Sequence, residues 1–207
     1  MKKNVLLFLL LSFSAFAQNF EGEIIYTNSY KSKTPQIKAD QLSAMMGDKQ
    51  TYLYKDGNYK STLNGQVVQW QLYLKKDNKL YNKMATSENL LWNDASVQGD
   101  EVLDIKINKG VTEILGYKCD EIILKCKSGT QKFYFSSKLA VDPNLFVKHK
   151  LGNWYDFISK AKALPLKTII ENDQFVITST AVKVTKKNID ASVFALPKGA
   201  KTEKSPY

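Results

Sequence analysis

Apolar and polar residues alternate along much of this chain, and that alternation predicts strands. The clearest run is "QVVQWQLYLKK". In an extended backbone it sets Val68, Trp70, Leu72 and Leu74 on one face and Gln69, Gln71, Tyr73 and Lys75 on the other. The same period of two recurs at Phe20, Ile24 and Tyr26; Tyr52 and Tyr54; Leu103, Ile105 and Ile107; Phe133 and Phe135; Leu166, Thr168 and Ile170; and Phe175 and Ile177. Turn signals separate these runs: "KDGN" at 55–58, "LNGQ" at 63–66, "KDNK" at 76–79, "NKG" at 108–110, "KSGT" at 127–130 and "ENDQ" at 171–174. Short strands joined by tight turns predict an antiparallel meander of about nine to eleven strands.

One segment departs from the alternation. "TPQIKADQLSAMMGD" offers Thr34 as N-cap, Pro35 at the first helical position and Gly47 as the stop, which predicts a helix over 35–46. At about 100° per residue Ile37, Leu42, Ala44, Met45 and Met46 cover a wide apolar arc, and Gln36, Asp40 and Ser43 a narrow polar one. Such a helix is expected to pack on the sheet, either as plain core or as a lid over an apolar cavity lined by the two adaptable methionines.

The N-terminus "MKKNVLLFLLLSFSAFAQ" reads as a secretory leader over 1–17: two lysines, an apolar run from Val5 to Leu11, and the small-residue site Ala15-Phe16-Ala17. The run is shorter than the ~18 residues a membrane span needs, and no cysteine lies near the cleavage site to carry a lipid anchor. The expectation is a periplasmic or secreted protein without a membrane span. Residues 18–197 then form one domain, and 198–207, "KGAKTEKSPY", a polar and fraying tail.

Charge narrows the partners. The formal charge is +10, the leader accounts for two of its lysines, and every basic residue in the chain is lysine. Bidentate reading of guanine, or of phosphate, favours a guanidinium, so nucleic-acid recognition is not expected. A weak attraction to anionic envelope surfaces is.

Candidate chemistry is sparse. Cys119 and Cys126 lie seven positions apart in "GYKCDEIILKC". In a strand that spacing is roughly 23 Å, and in a helix still roughly 10 Å, against the ~7 Å limit for a disulfide. A bond or a shared metal is therefore not expected, and both read as small buried hydrophobes, with a bulge near Asp120 and Glu121 reconciling their parity. The single histidine, His149, is flanked by lysines and reads as a solvated loop residue. No Gly-x-Ser-x-Gly elbow or phosphate loop occurs, and the carboxylates near 100–104 and 120–121 read as a solvated face. No catalytic residue, metal ligand or cofactor is assigned, and the protein is expected not to be an enzyme.

"GYKCDEIILK" with a hairpin to "KFYF", then "ALPLKTII", the closing "SVFALPKGAK" and the opening "FEGEIIY" together resemble an uncharacterised exported bacterial family of the DUF4412/GLPGLI kind. It is marked by a Gly-Tyr-Lys-Cys strand and a terminal Phe-x-x-Pro-x-Gly, and is related to the lipoprotein carriers LolA and LolB. The resemblance implies a mainly β (α+β) fold: a single curved antiparallel sheet or incomplete barrel of about 9–11 strands, with a helix on the concave face and a groove for acyl chains. Two features do not carry over. The chain lacks the arginine that latches LolA-type lids, and "ALPLKTII" lacks both glycines of the GLPGLI box.

The expected function is an envelope binding module that holds a lipid or other hydrophobic ligand between sheet and helix, lined by Ile37, Leu42, Met45, Met46, Trp70, Leu72 and Leu74. The rival is a structural or protein-interaction domain with a fully packed core and no ligand.

Overall fold

A computed structural model describes residues 19–206; the expected leader at 1–17 lies outside the described residues. Among the described residues twelve strands form one curved, open sheet. β1 (Gly22–Ser32) runs through its middle. On one side the meander β2 (Lys49–Lys55), β3 (Asn58–Leu63), β4 (Val68–Leu74), β5 (Lys79–Met84) and β6 (Leu90–Asp94) steps away from it in sequence order. On the other side β11 (Phe175–Lys186) pairs with β1 and leads outward through β10 (Ala163–Glu171), β9 (Thr130–Ala140) and β8 (Tyr117–Cys126) to β7 (Val102–Ile114). These pairings are antiparallel, as the turn-rich pattern predicts. β12 (Thr202–Lys204) alone is parallel, adding to the β6 edge.

The twelve strands exceed the nine to eleven expected, and β12 sits in the tail that was expected to fray. Its three side chains are all exposed and carry no apolar alternation, so nothing in the pattern marks it. Its pairing is supplied by the β6 backbone.

The register assigns the two faces. Tyr54 pairs with Tyr59, Tyr59 with Tyr73 and Tyr73 with Leu80, so a row of three tyrosines, ended by a leucine, crosses four strands on the inner face. Ile24, Tyr26 and Tyr52 lie on that face, with Ile122, Leu124, Phe133 and Leu166 at its far side, and together they build the main core.

The helix on this face is α2 (Trp154–Ala161), which contacts β8, β9 and β10. Trp154, Phe157, Ile158 and Ala161 recur at i, i+3, i+4 and i+7 and turn inward. Phe157 stacks on Phe133 with ring centroids 4.3 Å apart. Burial of a side chain of this size stabilises by about 1.5–3 kcal/mol. Gly152 and Asn153 enter the helix with φ of 64° and 59°, and Lys162 leaves it with φ 50°.

The expected lid is placed differently. α1 (Ala39–Met46) starts four residues later than the Pro35 signal suggests, opened by the Gln41 side chain, which accepts the Lys38 N–H at 2.8 Å. It stops at Gly47, φ 93°, as expected. It packs beside β1, and of its residues only Leu42 is buried. Eight residues make two turns, too short for the wide apolar arc to be covered all round, so the hydrophobic reading overstated its burial.

On the outer face Leu53, Trp70, Leu72, Leu74, Tyr81 and Trp92 form a second, smaller core. It is closed by the chain after β11: Ile189, Val193, Phe194 and Leu196 lie across it.

Candidate ligand-binding cleft

Tyr26, Gln50, Tyr52, Pro165, Thr168, Ser179 and Trp154 line a cleft of about 120 Å3 on the inner face. Its floor comes from four neighbouring strands, β2, β1, β11 and β10, and its wall from the first residue of α2. Tyr26 is opposite the small Ala181, so its ring passes over β11 and its hydroxyl donates to the Pro165 carbonyl at 2.6 Å. Tyr52 packs edge-on to Tyr26 and stacks on Tyr59.

Two lining side chains carry polar groups that are buried and find no partner among the protein's own groups: the Tyr52 hydroxyl and the Trp154 indole Nε1. Asn28 is one row along β1 and paired with Ser179. It gives its amide Nδ2 to the Gly47 carbonyl but leaves its Oδ1 in the same condition. Burial raises the Tyr52 pKa well above its ordinary value, so its hydroxyl keeps its proton. An unpaired buried polar group costs about 1–3 kcal/mol, and buried groups are paired as a rule. Two in one cleft single it out.

Behind Trp154 lies an aromatic cluster centred on His149. This residue is 2% exposed, not the solvated loop residue its lysine neighbours suggest. The 3-10 turn Pro143–Phe146 folds the segment back, and the His149 ring sits 4.2 Å from Tyr73, beside Tyr59, Phe146 and Trp154. Nε2 lies 2.8 Å from the Tyr59 hydroxyl, and Nδ1 is buried without a partner. Burial pushes its pKa down to about 4, so the ring is neutral at pH 7.

The predicted lining residues do not converge. Ile37, just before α1, is 37% exposed; within α1, beside β1, Met45 is 44% exposed, Met46 is half-buried and Leu42 is buried. Trp70, Leu72 and Leu74 share a face, as the alternation requires, but it is the outer one, under the C-terminal segment. Period two told which residues of β4 lie together and not which side of the sheet they take. Tyr73, on the face read as polar, is 1% exposed in the main core. The cleft residues were legible in part: Tyr26, Tyr52 and Thr168 fall in the alternating runs. The α2 stripe Trp154, Phe157, Ile158, Ala161 was the signal that could have placed Trp154.

Both cysteines are free and buried on β8. The register shift falls between the Asn108–Glu121 and Thr112–Cys119 pairs, opposite Asp120, which is where the bulge was expected, with the extra residues carried by the partner strand β7. Asn153 donates to the Cys126 sulfur at 3.3 Å, and burial, with Asp100 adding to it, pushes that thiol up to about 11.

Residues 66–200 match the family described as a domain of unknown function, DUF4412. The chain belongs to that family. The match contains both Gly116-Tyr117-Lys118-Cys119 and the Phe194-x-x-Pro197-x-Gly199 close that carried the resemblance. No curated protein matches the chain. Among solved structures it is similar to PNGF-II in a P21 crystal, with a TM-score of 0.50 and 15% identity, over 90% of this chain and 32% of that one. The chain thus spans about a third of the PNGF-II chain, and at that identity the likeness concerns the fold alone. LprF from Mycobacterium bovis superposes with a TM-score of 0.33 and 12% identity, over 81% of this chain and 89% of that one. The open curved sheet with a helix on its inner face is the architecture that the resemblance to LolA and LolB implies.

Among the described residues no helix is long and apolar enough to cross a membrane, and no three His, Cys, Asp or Glu side chains come together to hold a metal ion.

Proposed function

We propose that this protein is a non-catalytic binding module of the cell envelope that holds a hydrophobic ligand against the inner face of its sheet. The observation that carries this reading is the cleft beside Trp154, apolar in its aromatic and proline walls and lined by two side chains whose polar groups are buried and unpartnered. The leader-like N-terminus favours export. The site differs from the one expected from sequence, since α2 and not α1 forms its wall. The non-catalytic part rests on the state of the reactive groups: the histidine is neutral and enclosed by aromatic rings, and both thiols have raised pKa values.

The volume sets what the cleft takes. About 120 Å3 is below the ~300–1,000 Å3 of whole-ligand pockets, so it seats one end of a ligand. Burial of about 100 Å2 of apolar surface there contributes about 2–3 kcal/mol, millimolar at best by itself. Tighter binding therefore requires Trp154 to swing outward and lengthen the cleft.

Trp70 and Trp92 lie on the opposite face, so a variant with both changed to Phe reports on Trp154 alone. Its emission is expected to shift when an apolar ligand is added, and solvent extraction of the protein purified from its own host is expected to release a lipid detectable by mass spectrometry. An unmoved spectrum together with an empty extract refutes the reading and leaves the packed interaction domain.

A further inference from the structure

We infer that the cleft selects an uncharged ligand group bearing a hydrogen-bond-accepting oxygen, such as an acyl ester or amide carbonyl, and rejects a free carboxylate. This rests on the binding reading above and adds the chemistry of the ligand's seated end.

The argument starts from what the lining offers. An indole N–H donates and never accepts, so whatever meets Trp154 Nε1 is an acceptor. The Tyr52 hydroxyl, on a side chain only 8% exposed, is the second donor without a partner; both donors are enclosed while the cleft is closed, so a ligand meets them as Trp154 swings outward. The other polar lining groups are the Thr168 and Ser179 hydroxyls, the Tyr26 hydroxyl, which already donates to the Pro165 carbonyl at 2.6 Å, and the Gln50 amide, whose Nε2 already donates to Ser61 Oγ at 2.8 Å.

The lining also lacks charge. The chain has thirty lysines, yet none lines this cleft. His149, the ring behind Trp154, is neutral at pH 7 and gives no positive charge. A carboxylate seated here would give up its hydration without gaining a counter-ion, and burying an unpaired charge is far more costly than burying a neutral carbonyl that receives two hydrogen bonds. Two lysines, on β10 and β3, are held on the outer face, Lys167 over the Tyr134 ring and Lys60 over Trp70.

The test titrates the variant that keeps Trp154 as its sole tryptophan with methyl octanoate and, separately, with octanoate at pH 8. The ester is expected to bind at least tenfold more tightly. Tyr52→Phe removes one donor and is expected to weaken ester binding about threefold to tenfold while leaving the melting temperature of the free protein unchanged or raised, because the hydroxyl has no partner to lose. Equal affinity for ester and carboxylate, or a Tyr52→Phe protein that melts lower and binds the ester unchanged, overturns the inference and leaves the binding reading standing. Absence of binding by both probes overturns the binding reading itself, and the inference with it.

Discussion

His149 makes stability depend on pH in a window where few other groups titrate. Its ring is buried against Tyr59, Tyr73, Phe146 and Trp154, none of them charged near neutral pH, and burial lowers its pKa to about 4 from an ordinary 6.5. Between those values the unfolded chain binds a proton that the folded chain refuses, so stability is complete above the unfolded pKa and falls as the pH drops through it towards the folded one. Proton linkage for one such group gives a loss of about 2 kcal/mol between about pH 7.5 and about pH 5, equivalent to about 4–8 °C in Tm for a chain of this size. Glu21, Asp94, Asp120, Glu171 and Asp190 have pKa values lowered by their hydrogen bonds, so their contribution is lost only at lower pH, as it falls through those folded values. Urea unfolding followed by tryptophan fluorescence at constant ionic strength measures the slope. His149→Phe should lower stability on the plateau above about pH 7 by about 1–3 kcal/mol, because the Tyr59 hydroxyl loses its partner, and should abolish the slope, so that the two curves converge towards about pH 5. Adding Tyr59→Phe should recover part of the loss and leave the curve flat. A wild-type curve already flat over this window, or an unchanged slope in His149→Phe, would refute the reasoning.

Three further outcomes follow from the packing. Cys119 and Cys126 are buried with raised pKa values, so a thiol reagent at pH 8 should label the folded protein no faster than it unfolds, and both thiols at once in urea; fast native labelling of either places it at the surface. Leu72→Ala, fully buried in the outer core, should cost about 2–5 kcal/mol, and Phe194→Ala a comparable amount with protease cleavage appearing in the released segment after β11; an uncut C-terminus would show that Phe194 does not hold it. Gly129 has φ 151°, and an added Cβ would lie 2.1 Å from the Glu171 carbonyl oxygen, so Gly129→Ala should lower stability by about 2–4 kcal/mol in a denaturant titration.

The sheet was legible because its strands are half-buried and joined by tight turns, so both the alternation and the turn residues survive in the sequence. Trp70, Leu72 and Leu74 show the limit: a period of two groups side chains but is silent on which group faces the helix. The helices were harder. α1 carries the stronger start and stop residues, Pro35 and Gly47, and lies mostly exposed; α2 opens through left-handed Gly152 and Asn153, yet it covers the core. His149 misled because local composition describes the chain neighbours, whereas the 3-10 turn at Pro143–Phe146 decides what surrounds the ring. The cleft draws Tyr26, Tyr52, Thr168, Ser179 and Trp154 from five elements far apart in sequence, and no spacing rule links them.

The lysine excess acquires a structural role once the faces are assigned. On the outer face of the second meander, Lys106 is opposite Ile123, Ile123 opposite Lys132, and Lys132 opposite Ile169; in the next row Lys167 is opposite Tyr134 and Thr180. Lysine stems cover the apolar neighbours while the ammonium groups stay in water, so this half of the face needs no second layer. Only the β2–β6 half is apolar outside, and the chain after β11 covers it. The outer face is thus solvated on one half and occupied by the protein's own C-terminal segment on the other, and the surface left for an apolar ligand is the inner one. There the lysines are replaced by aromatic and hydroxyl side chains, which is the ground for proposing that a ligand entering beside Trp154 meets neutral donors and not charge.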